Sequence, residues 1–326
     1  MLRYAAFRVL QMIPVMAVLS FIVFLALYLI PGDPTGMLLG GEATPAAIDA
    51  LRQKWGLNDP LPVRYAHWIS NIAHGDLGDS VLNGRSVLQL ARSAFPVTLE
   101  LATLGLVIAL LIAVPAAVYC STRRGSVADS GVRLVAFLGM SAPTFWLGLI
   151  AISVFAVHLR WLPSNGFVPF ARDPIGNVRT MVLPACTLGF FLSTQLMRYL
   201  RAGIIRTMYE PHVRTARSKG LFDSTIMFRH IVWNALIPFL TVLGIQVGEL
   251  LGGTVVIEEV FGLPGMGRLA LQALLGRDYQ VVAGMVMLLA ALFLSLNLIV
   301  DLTYGLLDPR VRHRRPAPFE PDSEAS

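Results

Sequence analysis

Apolar residues in this chain come in long unbroken runs, separated by a few polar stretches. Residues 9–30 carry no charged side chain over 22 positions, residues 134–159 none over 26, and residues 281–300 none over 20. Residues 97–120 are interrupted only by Glu100 and residues 235–257 only by Glu249, while residues 181–197 form a shorter uncharged block. A helix rising about 1.5 Å per residue needs about 20 apolar residues to cross a hydrocarbon core ~30 Å thick. The pattern predicts an all-α integral membrane protein with six transmembrane helices.

The polar stretches set the organisation. Residues 1–8 precede the first span at 9–30, and residues 31–96 read as an external subdomain between spans one and two. Residues 97–310 hold the other five spans, and 311–326 form a basic, then Pro-rich and acidic tail whose composition predicts disorder. Within the subdomain, Thr44-Pro45 marks a helix start and the turn residues Asn58 to Pro62 follow. Residues 63–73 then put Tyr65, Trp68 and Ile72 on one face of a short amphipathic helix. The first block is too long for the apolar core of a secretory leader. Pro31-Gly32-Asp33-Pro34 stands where a small-x-small cleavage site belongs, so the block reads as a retained signal anchor.

Composition agrees. The chain of 326 residues is 55% hydrophobic and 14% charged, against about 25% charged in soluble domains. The net charge of +6 is unevenly spread: 16 Lys and Arg fall in the two termini and residues 121–133 and 198–229, and 10 in residues 31–96, 159–180 and 258–280. The positive-inside rule places both termini in the cytoplasm. The excess is a topology and lipid-headgroup signal and gives no support for a nucleic-acid partner. Cys120 and Cys186 lie in or at the ends of apolar blocks, without metal-ligand spacing, and read as small hydrophobes.

The chain holds two lysines, Lys54 after Gln53 and Lys219 after Ser218. A phosphate-binding Walker loop needs Gly before its Lys, so the chain carries none. Neither His-Glu-x-x-His nor Gly-x-Ser-x-Gly occurs, and the six histidines contain no i,i+4 pair. The sequence therefore offers no catalytic set, cofactor site or metal site. If the protein uses energy, another subunit supplies it.

One charged segment stands apart, between the fourth and fifth apolar blocks, within the polar loop 203–234. It contains Arg214-Thr215-Ala216-Arg217-Ser218-Lys219-Gly220-Leu221. Ala216, Ser218 and Gly220 are small enough for a partner groove to approach the backbone. Arg214, Arg217 and Lys219 can pair with acids at its rim, and Gly220 can take the left-handed conformation that ends a helix.

These residues, followed by Arg229-His230 and Asn234-Ala235-Leu236-Ile237-Pro238, resemble the coupling segment of ATP-binding-cassette importer permeases, peptide/nickel class. The resemblance spans nearly the whole chain. It includes Ile30-Pro31-Gly32-Asp33-Pro34, Gly75-Asp76-Leu77-Gly78, Pro96-Val97-Thr98-Leu99-Glu100-Leu101, Ser141-Ala142-Pro143-Thr144-Phe145-Trp146, Val260-Phe261-Gly262-Leu263-Pro264-Gly265-Met266-Gly267-Arg268 and Arg277-Asp278-Tyr279. Each motif is weak alone; their order carries the assignment. The broad permease pattern of Glu-Ala-Ala, three residues and Gly is replaced by Arg214-Thr215-Ala216 and Gly220. Val232-Trp233 stands where Leu-Pro is usual. The role of the missing Glu is therefore not transferred.

The resemblance implies a type I ABC importer permease fold. It implies a permease subunit in the inner membrane of a prokaryote, paired with a homologous second permease. Two cytoplasmic ATP-binding subunits would drive it through residues 214–221, and an external substrate-binding protein would deliver the cargo. Peptides are the expected cargo, with nickel or glutathione as alternatives. Glu249, deep in span five, is a candidate pore-lining acid for an amine or cation, or else an interhelical hydrogen-bond partner. Glu259, Phe261, Pro264, Gly265 and Arg268 are candidates for an external gate or for docking of the binding protein. The stripe Gly244, Gly248 and Gly252 reads as a helix-packing surface. A different class, an ion-coupled secondary transporter, predicts several buried acids or a pair of broken helices, and only Glu249 lies deep in a span.

Overall fold

The computed structural model describes residues 2–29, 44, 46 and 59–307. Among them the chain is helical, with one isolated antiparallel bridge between Asp79 and Ser86. The helices are α1 (Leu2–Leu29), α2 (Leu61–Ala73), α3 (Val87–Thr122), α4 (Val127–Ser141), α5 (Thr144–His158), α6 (Pro174–Met208), α7 (Pro211–Ser218), α8 (Asp223–Val260), α9 (Met266–Leu275) and α10 (Tyr279–Leu307). Five of them, α1, α3, α6, α8 and α10, contain a stretch long and apolar enough to cross a membrane. The helix start at Thr44-Pro45 and the tail 311–326 lie outside the described residues, apart from Thr44 and Ala46 themselves.

The third span departs from expectation. In place of one helix over 134–159, α4 and α5 meet at 108°, the geometry of a broken span or a re-entrant loop, so the described residues hold five spans, or six if this pair is one. Pro143 is the cause. It has no N–H to donate, and its ring pushes the preceding residue out of the helical region. Ala142 accordingly sits at φ −84°, ψ 134°. The far half of α5, Ile152–His158, winds as a π-helix.

The centre of the protein is α6, with 67% of its apolar window buried against 6% for α1. It packs along α3, where Ala109, Ala113 and Ala117 recur every four residues and are wholly buried. Gly189 of α6 sits against the Gly105 carbonyl and Ile108 of α3. Small residues at this spacing let two backbones approach closely, which is the main source of helix association in lipid. Leu188, Leu192, Leu196, Leu200 and Ile204 of α6 complete the core.

The amphipathic helix expected over 63–73 is present as α2. It lies on α1, where the Tyr65 hydroxyl and Ser20 Oγ are 2.7 Å apart. The rings of Phe21 and Phe24 enclose Tyr65 at centroid distances of 5.5 and 5.4 Å. The glycine stripe also packs as expected in part. A side chain at Gly244 would meet Val300, and one at Gly248 would overlap Phe293, both on α10, while Gly252 faces open space. Both cysteines are free thiols, Cys120 buried and Cys186 exposed.

Candidate functional site

The polar loop between α6 and α8 folds as the short helix α7. Pro211 sits in its first turn after Glu210, where a missing N–H costs nothing and the fixed φ suits a helix. Val213 and Ala216, three residues apart, form the buried face, which packs on the π-helical start of α8 at Ile226–Val232. The end is a Schellman motif: Gly220 N–H donates to the Arg217 carbonyl at 2.9 Å, and Leu221 N–H to Ala216 at 3.4 Å. Gly220 has φ +72°, so the left-handed stop expected from the sequence is present.

Arg214, Thr215, Arg217, Ser218, Lys219 and Gly220 are exposed, flanked by exposed Tyr209, Leu221 and Phe222. The Thr215 and Ser218 hydroxyls are satisfied within the helix, by the carbonyls of Pro211 and Arg214. Ion pairs among the described residues include Arg133–Asp129, Arg201–Asp129, His212–Glu210 and Arg268–Glu259. None of these pairs among the described residues involves Arg214, Arg217 or Lys219. Ala216 corrects the reading above. It belongs to the chain's own core and is not open to a partner groove, because it shares the face of Val213.

Glu249 is exposed on α8, and one carboxylate oxygen accepts a 3.4 Å hydrogen bond from Gln195 Nε2 of α6. The interhelical bond is thus present, with the other oxygen unoccupied by it. One turn earlier, Gln246 is buried and its Nε2 has no partner among the described residues.

On the opposite face of the protein, the candidates divide. Glu259 and Pro264 are exposed, and Arg268 is half-buried with its Nε 3.4 Å from Glu259. Phe261 and Gly265 are buried, so of the two expected roles, gate or docking, they do not offer a docking surface. The Phe261 ring packs against Gly148 of α5, and Gly265 lies under the Glu258 carboxylate.

Sequence reasoning missed two residues. Glu258 is fully buried, accepting from Thr98 Oγ1 of α3 at 2.6 Å and from the Arg268 N–H at 3.0 Å. Its signal was helical phase: Val247, Leu250, Leu251, Thr254, Ile257 and Glu258 share one buried face of α8 and Glu259 does not. Asp129, also buried, accepts from Arg201 Nη2 at 3.0 Å and from the Gly125 N–H at 3.1 Å. Its signal was Ser126, whose hydroxyl accepts from the Asp129 N–H as a helix cap.

Residues 105–313 match the family model of the binding-protein-dependent transport system inner membrane component, and residues 1–102 match that of its N-terminal part. The chain belongs to this permease family. It is a multi-pass inner membrane protein, and the family is one of permease subunits, which are not themselves enzymes. Among its relatives, a protein named as a peptide transport system permease of Brucella abortus (strain 2308) is 41% identical over 94% of this chain and 98% of its own. A glutathione transport system permease of Escherichia coli O6:H1 is 36% identical over 96% of this chain and all of its own. A solved structure of a methionine ABC transporter in inward-facing conformations superposes with TM-score 0.54 at 17% identity. It covers 68% of this permease and 97% of that chain. The likeness supports an ABC importer permease fold.

Proposed function

We propose that this permease is one half of the membrane pathway of an ATP-driven peptide importer. A homologous permease completes the pathway, two cytoplasmic ATPase subunits drive it, and an external binding protein delivers the cargo. The observation that carries the reading is α7, which turns outward a basic face with no ion pair among the described residues, on a helix fixed at both ends. Exposed Arg214, Arg217 and Lys219 are suited to an acidic groove, and the buried Val213 and Ala216 would pass a push directly to α8. The excess of Lys and Arg on this side supports a cytoplasmic α7 and cytoplasmic termini. Peptides are favoured as cargo because relatives at 41% and 35% identity are named for peptide transport. The glutathione permease among the relatives fits the same class, since glutathione is itself a tripeptide.

In this reading Glu249 lines the path, where its free oxygen meets the amine of a peptide. Glu259, Pro264 and Arg268 form the surface for the binding protein.

The test is co-purification. The permease pair is expressed with its ATPase subunits, and the membrane complex is isolated in detergent. Arg214→Glu with Arg217→Glu should release the ATPases while the permease keeps its melting temperature. An intact complex with both charges reversed, or peptide uptake by the permease alone in liposomes, sinks the reading.

A further inference from the structure

Two adjacent acids end α8, and only Glu259 reaches the surface. Glu258 is fully buried, and a buried carboxylate is tolerated only where donors replace water. The donors come from two other elements. Thr98 Oγ1 of α3 donates to one carboxylate oxygen at 2.6 Å and itself accepts the Met266 N–H at 2.8 Å. The Arg268 N–H reaches the other oxygen at 3.0 Å. One carboxylate with one hydroxyl thus ties α3, α8 and the first turn of α9 together.

The surroundings leave this clamp little play. Gly265, at the N-cap of α9, has no side chain to satisfy the free N–H groups, and any Cβ there would overlap the Glu258 carboxylate. A Cβ at Gly267 would fall 2.7 Å from the Val255 backbone of α8. Between the clamp and α9, the turn is closed by the Leu263 N–H on the Glu258 carbonyl at 2.8 Å. The side chains of Phe261 and Leu263 anchor it in the core.

We propose that Glu258, through Thr98, is the positioning residue for docking of the binding protein. It fixes the tip made by Glu259, Pro264 and Arg268 onto the α3–α8 body, as a preformed surface and not a hinged gate. This rests on the reading that an external binding protein docks on this face.

The experiment uses the whole transporter in nanodiscs, both permeases and both ATPases. ATP hydrolysis is measured while the cargo-loaded cognate binding protein is titrated. Glu258→Gln puts an amide where two donors need acceptors, and Thr98→Val removes the hydroxyl at constant shape. Each should raise the binding-protein concentration for half-maximal stimulation about tenfold, the effect of one unsatisfied buried donor, with the maximal rate unchanged. Thr98→Ser, which restores the hydroxyl, should restore the wild-type titration. Hydrogen exchange over residues 262–270 should speed up in the first two variants only. An unchanged half-maximal concentration in Thr98→Val, with only the maximal rate or the melting temperature lowered, overturns the inference and leaves a purely structural bond. A wild-type transporter that no binding protein stimulates overturns the docking reading itself, and the inference with it.

Discussion

Gly220 gives the sharpest test of how α7 works, because conformation and bulk can be varied separately there. Its φ is +72°, and a Cβ added to it would meet nothing within 4 Å. Within the single chain, a substitution therefore costs only the left-handed backbone, about 1–2 kcal/mol for an L-residue, and less for Asn, which is enriched in that region. That is too little to unfold a protein of ordinary stability, about 5–15 kcal/mol. It is enough to shift the occupancy of one helical end by a factor of about 5–30. Three variants divide the contributions: Gly220→Ala adds little bulk and disfavours the cap, Gly220→Asn keeps the cap and adds bulk, and Gly220→Trp adds the most. The assay is ATP-driven peptide uptake by the assembled transporter in proteoliposomes, with melting temperature and ATPase co-elution measured on the same samples. If a partner groove closes on this backbone, Asn and Trp abolish uptake while membrane insertion is kept and the melting temperature falls by no more than the left-handed cost. If Gly220 serves only as a helix stop, Ala is the more damaging and Asn is close to neutral. Wild-type uptake by Gly220→Trp combined with Arg217→Glu would refute the coupling assignment altogether.

Three further outcomes follow from packing and charge. At Gly139, where α4 crosses α6, a Cβ would lie 2.8 Å from Thr194 Cγ2 and 2.9 Å from Phe190 Cε1. Gly139→Ala should cost about 1–3 kcal/mol by overpacking, read as a lowered melting temperature. Gly131→Ala on the same helix, with nothing within 4 Å, should be neutral or slightly stabilising. Asp129→Ala strands the Arg201 guanidinium and should approach the ~3–5 kcal/mol of a broken buried pair, reduced because the Arg201 side chain is 18% exposed. Arg201→Met in that background should recover part of the loss, and additive effects in the double-mutant cycle would show that the pair is not coupled. Glu249→Gln removes a charge that costs roughly 2.5–3.5 kcal/mol at the middle of a span, so yield and melting temperature should hold or rise. Peptide uptake should fall, and unchanged uptake would leave Glu249 with its interhelical bond to Gln195 alone.

How much of this was legible in the sequence depended on whether a feature is local. The apolar runs and the faces of α2 and α7 are set by neighbours three and four residues away, so α2 and the Gly220 stop were readable. Pro143 stands inside a recognisable motif, yet hydropathy gives no sign of the bend, because it averages over the one residue that breaks the helix. The side chains that went astray all depend on distant partners. Phe261 looks like an exposed aromatic in a Gly/Pro-rich loop until Gly148 of α5 makes room for its ring. Ala216 looks like a small surface residue until α8 folds back beneath it. Glu258 is matched by Thr98, 160 positions away, and no local pattern announces that pairing.

These pieces meet on one helix. At about 1.5 Å per residue, the 38 residues of Asp223–Val260 extend about 57 Å, well beyond the hydrocarbon core of ~30 Å. Ile226, Ile231 and Val232 at one end lie under α7, and Glu258 at the other holds α3 and α9. A helix is stiff along its axis except where its hydrogen-bond ladder is disturbed, chiefly at prolines and π-turns. In α8 both disturbances, the π-helix Ile226–Val232 and Pro238, fall in the half next to α7. The remaining half is pinned to α10 through Gly244 and Gly248 and to α3 through Glu258. If α7 is driven as proposed, the push enters α8 at its irregular first turns, and the regular half beyond Pro238 is expected to shift together with the α10 and α3 residues pinned to it. The clamp at Glu258 lies at the end of this path farthest from α7, so loosening it frees the tip on α9 and leaves the contact of α7 with α8 untouched.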